Sequence, residues 1–209
     1  MPFMQGREVG SADLKAKVLC VTHNSALHDL DDEAIKLATA LRGLRAVKQT
    51  GEMTVRVDGW KIERWCLKSG FNLLASRWLE PRGFAPDPQA VRVIFGDSRP
   101  PPATGLYVVI DPPVMMTPDT DQVGWQMFAD ERNPAAIVGV YIQLHGLGLI
   151  VSNQPSDITV ALRATKNSGK VATSNWSAAR VIHHPRCVEL FRNKVPPGER
   201  GSLTVEFVW

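Results

Sequence analysis

Apolar residues recur at helical spacing in two stretches of the first eighty positions, and at strand spacing through much of the remainder. Leu30, Ala34, Leu37, Ala38, Leu41 and Leu44 share one helical face, which predicts an amphipathic helix starting at Asp29. Asp29 is placed to cap it. Asp29, Asp31, Asp32 and Glu33 then crowd the positive end of the helix dipole, and Arg42 and Arg45 lie near the negative end. A short strand follows in "MTVRVDGW", where Met53, Val55 and Val57 alternate with polar residues until Asp58 and Gly59. A second helix is predicted over 60–79, with Ile62, Trp65, Cys66, Leu73 and Leu74 on one face and the proline-containing segment 81–88 as its stop.

Beyond Pro81 the apolar period changes. "VRVIF", "GLYVVI", "AIVGVYIQLHGLGLIVS", "ITVALRAT" and "LTVEFVW" are rich in β-branched and aromatic residues and are separated by Pro, Gly, Asn and Asp. In the third of these, His145 and Gly146 form a hairpin turn, and Val138, Val140, Ile142 and Leu144 face one way. No helix-length crossover separates successive strands, so the sheet is expected to be mainly antiparallel. The fold class is therefore α+β: two amphipathic helices packed on a mainly antiparallel sheet. The amino-terminal segment 1–80 carries the helices and a short strand, and 81–209 is the β-rich part of one continuous domain.

Composition leaves that picture intact. At 209 residues, with 44% hydrophobic and 22% charged positions, the chain can bury an ordinary core without disulfides. Cys20, Cys66 and Cys187 are few, odd in number and far apart, the pattern of a reducing compartment. "MPFMQGREVG" lacks the apolar core of a signal peptide, and no apolar run approaches the roughly 20 residues of a spanning helix. A cytoplasmic protein without a membrane partner is the expectation.

The net charge of +3 leaves room for a local basic surface without requiring one. Lys61, Arg64 and Lys68 recur at spacings of three and four on the second helix, and the polar loop 166–180 adds Lys166, Lys170 and Arg180. These six are the candidates for contact with nucleic acid; without a partner, they are a solvated helix face and a hairpin tip. Zinc is the candidate cofactor, since structural sites usually draw ligands as two close pairs. Cys20 with His23 is one pair, and Cys187 with His183 or His184 is the other. The competing reading packs these cysteines as small hydrophobes. No nucleophile elbow or phosphate-binding glycine loop is present, and Cys66 falls on an apolar helix face where a thiolate is poorly solvated.

"LCVTHNSALHDLDDEA" resembles the second half of the HNH-type, treble-clef zinc modules of bacterial proteins. Cys20, His23 and Asn24 match the closing ligand pair and its Asn, and "GWKIERWCLKSGFNLL" is similar to the helix that follows in some of these proteins. The resemblance implies a bacterial or phage origin. It covers at most 18–74, and no Cys precedes Cys20 and no His precedes His23. The first zinc pair and the catalytic His of the family are thus missing from the sequence. Two functions follow. The chain is a non-catalytic accessory or binding protein for nucleic acid or a protein partner, or it is a metal-dependent nuclease built from His23, His28, Asp29, Asp31 and Asp32. The first is preferred because a helix start already accounts for the acids.

Overall fold

The computed structural model describes residues 21–45, 51–75, 88–100, 105–110, 123–129, 137–152, 180–191 and 201–209. Among the described residues, four helices precede most of the strands: α1 (Val21–Ala26), α2 (His28–Arg45), α3 (Gly59–Ala75) and α4 (Pro88–Phe95), with β1 (Gly51–Asp58) between α2 and α3. The strands after α4 are β2 (Gly105–Ile110), β3 (Val123–Ala129), β4 (Ile137–Leu144), β5 (Leu147–Ser152), β6 (Arg180–His183), β7 (Cys187–Phe191) and β8 (Gly201–Val208). The fold is α+β, as the change of period predicts. Among the described residues, no helix is long and apolar enough to cross a membrane.

The described strands form two sheets rather than one. A five-stranded antiparallel sheet has the order β3-β4-β5-β2-β6, and a three-stranded mixed sheet has the order β1-β8-β7. The β4–β5 hairpin turns at His145 and Gly146 (φ 42° and 92°), the pair of positive φ angles that a tight two-residue turn needs. β1 runs parallel to β8 from Gly51↔Gly201 to Asp58↔Val208, so the amino-terminal strand is completed by the carboxy-terminal one. Adjacent-strand reasoning cannot foresee such a pairing.

The predicted strand "VRVIF" is helical, and its end explains why. Gly96 has φ 82°, its N–H reaches the Val93 carbonyl at 3.0 Å, and the Asp97 N–H reaches the Arg92 carbonyl at 2.8 Å. These are the two bonds of a Schellman cap, and Pro88 stands at the first helical position where its missing N–H costs nothing. Val93 and Ile94 are buried, Ile94 in a cluster with Leu27 and Leu30. The predicted cap at Asp29 is also corrected: α2 begins at His28, and Asp29 lies inside its first turn, where it still faces the positive dipole end.

One core joins the amino-terminal and β-rich segments. Leu37, Leu41 and Leu44 of α2 and Ile62 and Cys66 of α3 share it with Val57, Val205 and Phe207 of the three-stranded sheet and Leu106, Ile142 and Leu149 of the five-stranded sheet. Helix α3 is capped by Asp58, the last residue of β1, whose Oδ1 accepts the Lys61 N–H at 3.0 Å. It packs against strands of both sheets and so lies at their junction. The "ITVALRAT" segment lies outside the described residues, as does the Val138 side chain.

Candidate functional site

Where the two sheets meet, the chain passes from β6 to β7 through the corner His184, Pro185 and Arg186. His184 has φ 40°, and its N–H donates to the Leu106 carbonyl of β2 at 3.0 Å. Two further bonds hold the corner to β8: the Phe207 N–H donates to the Arg186 carbonyl at 2.9 Å, and the Trp209 indole N–H to the Pro185 carbonyl at 2.9 Å.

Beneath this corner lies Glu63 of α3, with no solvent exposure. Its Oε2 accepts the Leu106 N–H at 2.6 Å and lies 2.8 Å from His184 Nε2. Its Oε1 has no hydrogen-bond partner among the described residues. Burial pushes the Glu63 carboxyl up to about 7, against the opposing effects of the Leu106 N–H and the nearby His183. Burial also lowers His184 below the usual imidazole range. Gly105 is required here: it has φ 113°, and a Cβ at that position would run into Glu63 Oε2 and His184 Nε2.

Rings link the sheets along the same line. Tyr107, His183, His184 and Trp209 follow one another with centroids 4.5, 4.0 and 4.0 Å apart, and Trp60 meets His184 and Trp209 edge-on at 5.4 and 5.3 Å. Trp209 in turn needs Gly59, because a Cβ there would lie 2.7 Å from the indole. The His183 and His184 rings are occupied with neighbouring rings, so the stack acts as a brace between sheets.

Arginines flank the two tryptophans of this brace. The Arg99 guanidinium lies 5.0 Å from the Trp60 ring centroid. On the outer face of the three-stranded sheet, a groove of ≈ 470 Å³ is lined by Arg56, Arg186, Cys187, Glu206, Phe207, Val208 and Trp209. Arg56, Arg99 and Arg186 are exposed, and none forms an ion pair among the described residues. Cys187 is an exposed free thiol, whereas Cys66 is buried and its thiol is raised well above its ordinary range by burial.

The sequence-predicted residues are distributed differently. Lys61 pairs with Asp29 at 3.1 Å, the Arg64 Nε–H donates to the Ile94 carbonyl at the end of α4 at 2.8 Å, and buried Lys68 pairs with Asp31 at 2.6 Å. The basic stripe of α3 thus fastens α3 to α2 and α4. Lys166 and Lys170 lie outside the described residues, and Arg180 opens β6 opposite Ile110. Of the zinc candidates, Cys20 also lies outside them. His23 is an exposed residue of α1 with its ring 5.5 Å from Phe95, and His183 and His184 are stacked on each other. Among the described residues, no three His, Cys, Asp or Glu side chains are grouped to hold a metal ion. The nuclease candidates also have structural partners: His28 meets Asp32 at 3.2 Å on the exposed side of α2, while Asp29 and Asp31 hold Lys61 and Lys68.

Glu63 escapes a reading that assigns every charged residue of a helix to its wet face. The signal that would reveal it is spacing, because Gly59, Ile62, Glu63, Cys66 and Gly70 form a continuous buried stripe. No family model, curated protein or solved structure matches this chain.

Proposed function

We propose that the protein is a non-catalytic nucleic-acid-binding module whose contact surface is the arginine-bearing side of the sheet junction. The observation that carries this reading is the contrast among cations. Those of α3 are committed to Asp29, Asp31 and a helix carbonyl, whereas Arg56, Arg99 and Arg186 are exposed and, among the described residues, without ion pairs beside the Trp60–Trp209 brace. Guanidinium groups on a rigid support suit phosphate oxygens, because their planar donors are already oriented. Glu206 within the same groove limits how many phosphates can approach, so affinity is modest.

Catalysis is not part of the proposal. The only buried carboxylate with a strongly raised titration, Glu63 among the described residues, is closed off by Gly105, His184 and β2. The test is fluorescence anisotropy of a labelled oligonucleotide as salt is varied. Binding weakens with added salt, with a log-log slope of about 0.7 per phosphate on single strands or about 0.9 on duplex. Arg99→Ala with Arg186→Ala lowers that slope by about 1 to 2. Absence of binding at about 50 mM salt, where such contacts are strongest, rejects the reading.

A further inference from the structure

Sheet order leaves β1 at an edge: among the described residues its one neighbouring strand is β8. An exposed edge presents a row of unpaired N–H and C=O groups and is usually blunted by a bulge, a proline or a covering segment. β1 has no proline or bulge over its eight residues, and its register with β8 is continuous. The side turned away from β8 can be identified. The Asp58 N–H donates to Glu33 Oε1 of α2 at 2.9 Å, directed away from β8. Because successive residues of a strand direct their backbone groups to opposite edges, residues 52, 54 and 56 share that outward side.

The side-chain order of β1 is self-complementary about Thr54. Antiparallel pairing of two copies centred there sets Glu52 opposite Arg56 of the second copy, Thr54 opposite Thr54, and Met53 opposite Val55. Each is a favoured cross-strand combination: opposite charges, paired hydroxyls and paired apolar groups. The backbone parity fits as well, since in this register 52↔56, 54↔54 and 56↔52 are the hydrogen-bonded pairs. Glu52, Thr54 and Arg56 are exposed, so the charge pairs lie on the outer face, with Met53 and Val55 half-buried on the inner one.

We propose that two copies of this chain associate through β1, joining their three-stranded sheets into one continuous six-stranded sheet across a two-fold axis at Thr54. Arg56 belongs both to this seam and to the proposed nucleic-acid surface, so the pairing is measured without ligand, where failure of one proposal leaves the other standing. Two strands bury little area compared with the roughly 800 Å² per partner of a standard interface, so the dimer is weak, with Kd on the order of 100 µM.

Sedimentation velocity over a concentration series provides the test. The unmodified protein passes from monomer to dimer as concentration rises. Glu52→Arg places Arg opposite Arg56, and Arg56→Glu places Glu opposite Glu52, each twice per dimer. Each variant alone therefore associates at least about tenfold more weakly. Mixing the two variants restores both charge pairs in a heterodimer, which forms at the affinity of the unmodified protein. Circular dichroism checks that these exposed substitutions leave the fold unchanged. An unmodified protein that remains monomeric up to about 300 µM overturns the proposal. So does a dimer indifferent to the single substitutions, or a mixture that fails to associate.

Discussion

Glu63 and Lys68 lie on the same helix, both buried, and their charges are handled in opposite ways. Lys68 reaches Asp31 of α2 at 2.6 Å, and that carboxylate is itself 39% exposed, so water shares in solvating the pair. Glu63 is sealed between β2 and the β6–β7 corner with a backbone N–H and an imidazole as its partners. An ion pair with a wet end ties two helices together. A carboxyl without a strong cation makes the junction of the two sheets sensitive to pH. The difference comes from the layers each residue faces: α2 supplies acids on its first turns, and the sheets supply only backbone and rings.

The largest expected effect tests how tightly the junction is closed. Gly105→Ala forces a side chain onto φ 113° and into Glu63 Oε2, and should cost about 3 kcal/mol in urea denaturation. A cost below about 1 kcal/mol would show that Glu63 has room to move. Lys68→Ala comes next. It leaves Asp31 without its partner and removes a buried alkyl chain, and should cost about 2 kcal/mol, discounted because Asp31 keeps contact with water.

The pH dependence is smaller but more diagnostic. Glu63 is raised from 4.5 to about 7, so its contribution to stability is fully present below 4.5 and is lost as pH rises through about 7. His184 is lowered, so its contribution is present above the ordinary imidazole pKa of 6.5 and is lost as pH falls below it. The two oppose each other on the acid side, which leaves pH 6.5 to 8 as the interval where the Glu63 loss outweighs the fading His184 gain. Over it the protein should lose roughly 1 kcal/mol, and Glu63→Gln, which keeps an acceptor for Leu106, should lose almost none. Equal slopes in both proteins would assign the titration to another group.

Asp29→Ala gives the smallest change. Its partner Lys61 is 34% exposed and Asp29 51%, so the loss should stay at about 0.5 kcal/mol, below the roughly 1 kcal/mol expected of a true helix cap.

These contrasts also show what the sequence could reveal. The helical stripe of α2, the Met53–Val55–Val57 strand and the His145–Gly146 turn are local patterns, and local patterns survive folding. "VRVIF" departs from its strand pattern because Pro88 and Gly96, at the two ends, mark a short helix that the β-branched residues conceal. The parallel pairing of β1 with β8 depends on segments 150 residues apart, and no local period encodes it. The cations of α3 follow the same logic. Their spacing announces a stripe, but the acids that neutralise two of them belong to α2, and the contrast with Arg56, Arg99 and Arg186 emerges only once the helices are packed.

That division of cations is the central claim, and one binding measurement addresses it directly. Anisotropy titrations of a labelled oligonucleotide at about 50 mM salt would compare the unmodified protein, Arg99→Ala with Arg186→Ala, and Lys61→Ala. The arginine variant is expected to lose at least tenfold in affinity and Lys61→Ala to change it less than twofold, with both folded by circular dichroism. Equal losses in the two variants, or a greater loss from Lys61→Ala, would contradict it and return the contact surface to α3.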